Sequence, residues 1–487
     1  MPWAAPPCRN VRGRGVDARL SRYSYLVSLL PQKIIDDLGL RIALRRRRYS
    51  SYTPDPSDPT RGLLIDTGDA VATAASFART LGDTGEAERF AALDARLSPL
   101  GRAVFPTMTE PLPTADEVRE RVGDDALWTA VTERPLGDLL RASLDSDLAR
   151  GIALTDGLIG TFSWSDDPSL AQNRCFLYHV IGNETGHWDV PVGGMGAVTA
   201  ELERAARAAG AEIVTGVDVI SVSPAGEVHT MTDRSEVFHG TLVLSGVGRR
   251  VLDGLLAAGG ATTTGADEPE GAQIKVNMLL SRLPRLRDSS VSPEAAFSGT
   301  FHVNETLTQL DAAYVAASGG LIPAPLPVEI YCHSLSDPSI LGAELQASGA
   351  QTLTMFGLQV PHRLIADTDP VAAGARLLAA AQQSLDAVLA EPLRDCIYRA
   401  PDGRLCIEAR STLDLEESLN MVGGDIFHGG LSWPWLSTPA TSAAERWGVA
   451  TVHPRVLLCG SSAQRGGAVS GIGGQNAAMA ALEILAG

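Results

Sequence analysis

The residues best suited to chemistry lie in a glycine-rich loop near the C-terminus, in the segment CGSSAQRGGAVSGIGGQNAAMAAL. Six glycines stand between a strand-like run and a helix-like run: Gly460, Gly466, Gly467, Gly471, Gly473 and Gly474. Glycine lets a backbone approach a ligand closely, and the free N–H groups of a helix N-terminus attract electron-rich groups. The loop therefore predicts a site for a pyrophosphate or for the electron-rich edge of a ring cofactor. A tight strand-to-helix turn packed on small residues explains the same glycines equally well.

Two further glycine clusters carry weaker signals. Gly193, Gly194 and Gly196 open a helix-like stretch. Gly246 and Gly248 follow a short strand-like run, but the sequence there reads GVGRRV and lacks the last glycine of a G-x-G-x-x-G dinucleotide fingerprint. We therefore predict no dinucleotide site at this turn.

Other catalytic patterns are missing from the sequence. It contains no H-E-x-x-H zinc motif, no Walker loop and no G-x-S-x-G nucleophile elbow. Glu184 and His187 form one E-x-x-H without a second copy, which is not enough for a di-iron site. The arginine block at 45–48 predicts either a solvated face or a clamp for phosphate or carboxylate groups. The sequence thus predicts no metal site.

Composition narrows the class of protein. The chain has 487 residues, of which 45% are hydrophobic and 20% charged, as in a globular protein. A formal net charge of −17 argues against a nucleic-acid partner, because such partners are held mainly by cationic side chains. No apolar run approaches the roughly 18 residues of a membrane span. The N-terminus lacks the apolar core of a secretory signal, and the six cysteines form no C-x-x-C pair, so we predict a cytoplasmic protein.

The elements that must hold the glycine loop are a strand before it and a helix after it. Residues 66–158 follow a helical period, whereas strand-like runs appear at 211–245 and 273–360, and a long amphipathic helix covers 372–389. The run TLVLS at 241–245 has the continuous apolar character of a buried parallel strand. Segments of each kind recur far apart along the chain. The sequence therefore predicts a mixed α/β fold of two interleaved domains.

Four stretches together resemble the phytoene desaturase-related family of FAD-dependent oxidoreductases. They are LSRYSYLVSLLP (20–31), FLYHVIGNETGHWDVPVGGMGAVTAEL (176–202), GGDIFHGGLSWPW (423–435) and LLCGSSAQRGGAVSGIGGQNAAMAAL (457–482). The second and fourth are the most specific. The resemblance runs from about residue 15 to the end of the chain.

The resemblance implies non-covalently bound FAD and hydride transfer between the flavin and a small apolar substrate, with peripheral membrane contact left open. It implies that the glycine loop faces the flavin at Gly460, Gly466, Gly467, Gly471, Gly473 and Gly474, and that a main-chain contact to the adenine end falls near Val219. In such enzymes the flavin carries out the redox chemistry and the protein positions it. His428 is our catalytic candidate near the ring.

The family fold implies a discontinuous FAD domain of Rossmann type that is interleaved with a substrate domain of mixed sheet and helices. We assign residues 15–65 to the FAD domain and a linker, 66–185 to the helical part of the substrate domain and 186–256 to the middle of the FAD domain. Residues 272–420 then supply the sheet and helix of the substrate domain, and 421–487 complete the FAD domain. Residues 1–14 match nothing in the family.

One departure from the family pattern affects the cofactor. Such proteins begin with a strand, a G-x-G-x-x-G turn, a helix and a second strand, and none of these precedes residue 15. The resemblance therefore predicts that the reading frame lacks its first βαβ unit and that the chain as printed binds FAD weakly. Two alternatives stay open: a non-catalytic scaffold or interaction protein derived from this fold, and an amine-oxidase-like flavoenzyme.

Overall fold

The structure is a computed structural model, and it describes residues 16–232, 235–263, 265 and 267–487. The predictions for residues 1–14 and for residue 15 lie outside this range. In the first part of the chain the elements are α1 (Gln32–Asp37), β1 (Leu44–Arg45), β2 (Tyr49–Asp55) and β3 (Asp58–Asp66).

The predicted helical region follows directly, and it contains α2 (Ala70–Leu81), α3 (Glu86–Val104), α4 (Ala115–Val122), α5 (Asp125–Thr132), α6 (Leu136–Ser143), α7 (Asp147–Thr155) and α8 (Ala171–Val180). Local signals set several of the ends. Asp69 caps α2 by accepting from the amides of Val71 and Ala72, and Gly82 ends it in the left-handed region at φ 69°. The apolar faces of these helices share one core, in which Phe77 is fully buried.

The next segment contains β4 (Val190–Pro191), α9 (Met195–Ala208), β5 (Asp218–Val222), β6 (Glu227–Met231), β7 (Ser235–His239), β8 (Val243–Ser245) and α10 (Arg249–Ala258). Strands β5, β6 and β7 form an antiparallel three-stranded sheet. Strand β8 does not join this sheet and pairs in parallel with a strand near the C-terminus.

Residues 272–420 hold β9 (Ile274–Leu280), α11 (Pro293–Ser298), β10 (Thr300–Val303), α12 (Leu307–Ser318), β11 (Val328–Tyr331), α13 (His333–Ser336), α14 (Ala343–Ser348), β12 (Gln351–Gly357), α15 (Pro370–Asp386), β13 (Ile407–Arg410) and α16 (Thr412–Leu419). The chain ends with α17 (Ala443–Arg446), β14 (Val456–Leu458) and α18 (Ile472–Ala486).

A seven-stranded mixed sheet forms the largest layer, in the order β13-β9-β12-β11-β10-β2-β3. Strands β10 and β2 pair in parallel, whereas the adjoining β10–β11 and β2–β3 pairs are antiparallel. All residues of β9 and β11 are buried, and α15 packs its apolar side on this sheet. Strand β2 and all but the last residue of β3 lie within 15–65, which we assign to the FAD domain and a linker. Strand β2 pairs with β10 and β3 pairs with β2, so both strands extend the sheet that residues 272–420 build, and the division into domains stays a prediction.

The strand before the glycine loop, β14, pairs in parallel with β8, so the predicted strands at both places are present. The prediction that 241–245 is buried is wrong at Leu244, which is 43% exposed. Among the described residues β8 pairs only with β14, so no neighbouring strand covers its other edge. In the described part of the chain, we find no helix with the length and apolar content needed to cross a bilayer.

Candidate functional site

A cavity of about 910 Å³ opens between the helical region, the seven-stranded sheet and the glycine loop. The loop contributes Ser461, Gly467, Ala468 and Val469 to its wall, and the segment before α17 contributes Ile426, Phe427 and His428. Much of the remaining wall is apolar and comes from the other two layers: Leu26, Leu29, Ile152, Phe176, Phe356 and Leu415. The cavity thus lies where the predicted cofactor loop meets the predicted substrate domain.

The glycines of the loop divide into two groups by what surrounds them. An added Cβ at Gly460 would lie 2.5 Å from the carbonyl oxygen of Gly246, one at Gly473 would lie 2.5 Å from that of Gly460, and one at Gly466 would lie 2.2 Å from that of Ser461. These three glycines let backbone segments pack directly on one another. They match the tight-turn explanation that the sequence left open.

The other three glycines are accessible or face the cavity. Gly467 lines the cavity at φ 97°, and a Cβ there would lie 2.5 Å from Leu431 Cδ2. Gly471 precedes α18 in the left-handed region at φ 69°, and Gly474 is exposed in the first turn of that helix. The loop therefore offers a glycine to the cavity and an open helix N-terminus beside it, and both features fit the ring end of a flavin.

Arg465 fixes this loop, and the sequence analysis did not single it out. Its side chain is 1% exposed, and its φ is 68°. Nη1 donates to the carbonyl oxygens of Thr107 and Glu110, both at 2.6 Å, and Nη2 donates to that of Trp447 at 3.0 Å. Burial lowers the pKa of Arg465 to about 10, so it stays charged at neutral pH. A buried arginine thus ties the glycine loop to the segment that follows the long helix α3 and to the residue that ends α17.

His428, the catalytic candidate, lines the cavity in a backbone conformation with φ 61°. Asp425 holds this turn, because Oδ1 accepts from the amide of Phe427 at 2.8 Å and Oδ2 from that of Gly429 at 3.1 Å. Burial lowers the pKa of His428, so the imidazole is neutral at pH 7. A neutral imidazole in this place can accept or donate a hydrogen bond inside the cavity.

Val219, the predicted adenine contact, lies elsewhere. It belongs to β5, is 43% exposed and pairs with Thr230 of β6. It is not among the residues that line the cavity. Its contact with the adenine end stays a prediction.

The structure also places a polar wall in the cavity that the sequence analysis missed. His302 lies on β10 and Glu329 and Tyr331 lie on β11, and all three line the cavity. The Tyr331 hydroxyl donates to Glu329 Oε2 at 2.5 Å, and burial raises the pKa of Glu329 to about 8. A glutamate inside the apolar run PVEIY was the available signal, since ionisable side chains are rarely buried without a partner or a role.

Two aspartates face the same space from the helical region. Asp94 of α3 and Asp156, just after α7, both line the cavity. Enclosure raises the pKa of each carboxyl to about 6. The cavity therefore combines an apolar body with several acidic groups.

The arginine block at 45–48 does not form a shared clamp. Its members contact four different groups, which are, in order from Arg45 to Arg48, the Ser336 carbonyl, the Asp189 carboxylate, the Trp188 carbonyl and the Asp66 carboxylate. Of these, Arg46 and Arg47 line the cavity.

Comparison with known proteins identifies relatives along almost the whole chain. A scan against models of known protein families gives no match. An uncharacterized protein of Mycobacterium tuberculosis, Rv0897c, is 50% identical over 485 residues, which cover 97% of this chain and 89% of that protein. The rat pyridine nucleotide-disulfide oxidoreductase domain-containing protein 2 is 26% identical over 513 residues, which cover 94% and 84%.

Among solved structures, a variant of putrescine oxidase superposes with a TM-score of 0.54 at 14% identity, covering 97% of this chain and 90% of that one. An identity this low establishes the fold alone. It confirms the predicted mixed α/β fold. This chain belongs to the same family as Rv0897c of Mycobacterium tuberculosis, and it has the fold of FAD-dependent oxidoreductases.

Proposed function

We propose that this protein is an FAD-dependent oxidoreductase that transfers a hydride between flavin and an apolar substrate held in the cavity. The observation that carries the proposal is the single cavity that joins Gly467 and Val469 of the glycine loop to an apolar interior. Pockets of several hundred Å³ with apolar walls and a few polar groups are typical of small-molecule sites. The similarity to an oxidoreductase domain-containing protein supports the same class.

The residues of the chain have separate tasks in this proposal. Gly467 packs its bare Cα against Leu431 and Phe427, and this packing sets the position of the loop main chain at the cavity wall. Leu29, Ile152 and other apolar side chains exclude water from the substrate. Bound FAD would accept or return the hydride, as it does in flavoenzymes generally. His428 would accept or donate a hydrogen bond beside the ring.

An amine substrate is the second candidate, and the acidic wall favours it. Asp94, Asp156 and Glu329 could balance an ammonium group, and the rings of Tyr25 and Tyr331 stand 4.9 Å apart on the same wall. Putrescine oxidase, which shares the fold, acts by its name on a diamine. The apolar lining nearest the glycine loop supports the first candidate instead.

The cofactor is tested first, on the purified 487-residue chain. Because the sequence contains no G-x-G-x-x-G turn, we expect weak binding, so FAD should be supplied in excess and followed by quenching of its fluorescence. Gly467→Val adds a branched side chain at a position where even its Cβ would lie 2.5 Å from Leu431 Cδ2. Relief of this clash would displace the loop from the cavity wall at a cost of roughly 1–3 kcal/mol, so we expect the affinity for FAD to fall at least about tenfold.

Gly374→Ala is the matched control, because a Cβ on this α15 glycine meets nothing within 4 Å. A colourless protein whose unfolding temperature does not change on adding FAD contradicts the proposal and favours the non-catalytic scaffold. If FAD binds, anaerobic reduction of the flavin by a long-chain alkylamine or by an apolar polyene separates the two substrate candidates. Cytoplasmic location and peripheral membrane contact stay predictions, to be checked by cell fractionation.

A further inference from the structure

The polar wall of the cavity contains a buried cluster of one histidine and two glutamates. His302 and Glu329 are direct partners in the antiparallel β10–β11 pair, and Glu305 follows three residues after His302. His302 Nδ1 lies 2.5 Å from Glu305 Oε2 and 3.8 Å from Glu329 Oε1. One ligand atom from each residue lies within 4.8 Å of the other two. This spacing is small enough for one ion to reach all three after modest side-chain movement.

No lysine or arginine of the described chain forms an ion pair, with a nitrogen within 4.0 Å, with the carboxylates of this cluster. Glu305 and Glu329 are 1% and 2% exposed. Arg47, whose charge acts on Glu329, directs its side chain to the carbonyl of Trp188 and the hydroxyl of Thr300. Two buried carboxylates need two positive charges, from protons or from a divalent cation.

A second observation points to a ligand. Glu305 Oε1 is buried and has no hydrogen-bond partner within the described part of the chain. A buried carboxylate oxygen without a partner is costly, and metal coordination removes that cost. His302 and Glu329 also line the cavity, so an ion and its remaining ligands have a path to the cluster.

The molecule contains a contrasting case. Asp83, Glu86 and Asp145 also lie close enough together for one ion. There, however, Arg89 forms ion pairs with all three, at 2.6 Å to Glu86 and 3.2 Å to Asp145. There an arginine pairs with each carboxylate and Asp145 is exposed to solvent, whereas the carboxylates of the cavity cluster are buried and have no arginine ion pair.

We propose that His302, Glu305 and Glu329 bind one divalent transition-metal cation, whose open coordination positions face the cavity. One imidazole and two carboxylates suit Zn²⁺, Mn²⁺ or Fe²⁺, and three protein ligands leave positions for water or for an oxygen atom of a substrate. The Tyr331 hydroxyl holds Glu329 in place as a positioning group. The bound cation would favour substrates that carry a hydroxyl or carboxylate and would disfavour an ammonium group. The site does not depend on flavin binding.

The test uses the full chain after removal of metals with a chelator. Zn²⁺ and Mn²⁺ are added in separate experiments, excess ion is removed by gel filtration, and bound metal is measured by elemental mass spectrometry. We expect one ion per chain with at least one of these metals. His302→Asn and Glu305→Gln should each lower the affinity by more than about tenfold, and Tyr331→Phe by roughly tenfold, as outer-shell changes do.

Asp145→Asn in the contrasting cluster is the control and should bind metal like the unchanged protein. Glu329→Gln replaces Glu305→Gln if the latter does not fold, as judged by thermal unfolding of the metal-free variants. The proposal is overturned if neither metal reaches one ion per chain, if Glu305→Gln and Glu329→Gln bind like the unchanged protein, or if Asp145→Asn alone loses the ion. If neither metal binds, protons neutralise the carboxylates of Glu305 and Glu329. Because the readout is metal content, it stands apart from any failure to bind FAD.

Discussion

Replacement of Arg465 by methionine tests how the glycine loop is held. The guanidinium makes three hydrogen bonds to main-chain carbonyl oxygens, of Thr107, Glu110 and Trp447. Methionine fills a similar length but donates no hydrogen bond. The substitution therefore removes the arginine donor from three carbonyls, of which Thr107 O still accepts from the amide of Glu110.

The size of the effect follows from these bonds. Each buried acceptor left unpaired costs about 1–3 kcal/mol, so the two carbonyls of Glu110 and Trp447 give roughly 2–6 kcal/mol. Methionine also avoids the cost of burying the guanidinium charge, which offsets part of this loss of stability. Measured losses for breaking buried charge interactions are about 3–5 kcal/mol. We expect Arg465→Met to lower the free energy of unfolding by about 3–5 kcal/mol. Arg465→Lys keeps the charge but not the planar fork, and should lose about half as much.

Urea unfolding measures the free energy, and amide hydrogen exchange at residues 460–471 locates the effect in the loop. A fall in stability should come with faster exchange in this segment, because the bonds of Arg465 join it to the rest of the molecule. If Arg465→Met costs less than about 1 kcal/mol, or if exchange in the loop does not change, the guanidinium does not hold the loop and the reasoning is wrong.

Three further predictions concern other parts of the fold. Burial raises the pKa of Asp425 from 3.8 to about 6, so the stability that its protonated form contributes is complete below pH 3.8 and is lost as the pH rises through 6. Relative to Asp425→Asn, the free energy of unfolding should therefore fall between pH 3.8 and 6. Parallel pH profiles of the two proteins would contradict this. Gly151→Ala puts a Cβ 1.9 Å from a facing carbonyl oxygen and should cost about 1–3 kcal/mol in urea unfolding, while Gly374→Ala should cost nothing; equal effects would show that the helices simply move apart. Thr114→Ala removes the capping box that Thr114 forms with Glu117 at the start of α4 and should lower the free energy of unfolding by about 1 kcal/mol, whereas an unchanged value would mean that water replaces the cap.

Much of the fold could be predicted from local patterns. The helical period of residues 66–158 is confirmed by α2 to α7, and the strand and helix on either side of the glycine loop are β14 and α18. These elements depend on spacing along the chain, which the sequence contains. The membership of β2 and β3 in the large sheet depends on which strand they meet, and the parallel partner β10 lies more than 200 residues away. No local pattern contains that information.

The candidate site was only partly predictable for the same reason. The glycine loop stood out because clustered glycines have a distinctive backbone chemistry, whereas His428 became a candidate only through the family resemblance. The sequence could not separate Gly467, which faces the cavity, from Gly460, which packs on the backbone of Gly246. The sequence did not distinguish Arg465 from other loop arginines, because its three carbonyl acceptors come from distant parts of the chain.

The sequence by itself determined the class of elements, the acidic and apolar composition and the place of the glycine loop between a strand and a helix, because these follow from residue type and short-range spacing. Only the tertiary structure decided that His302 and Glu329 face each other with Glu305 beside them. The register of the β10–β11 pair brings them together, and register depends on how the whole sheet buries its apolar faces. The chemistry open to the cavity thus depends on contacts between strands that the sequence order does not reveal.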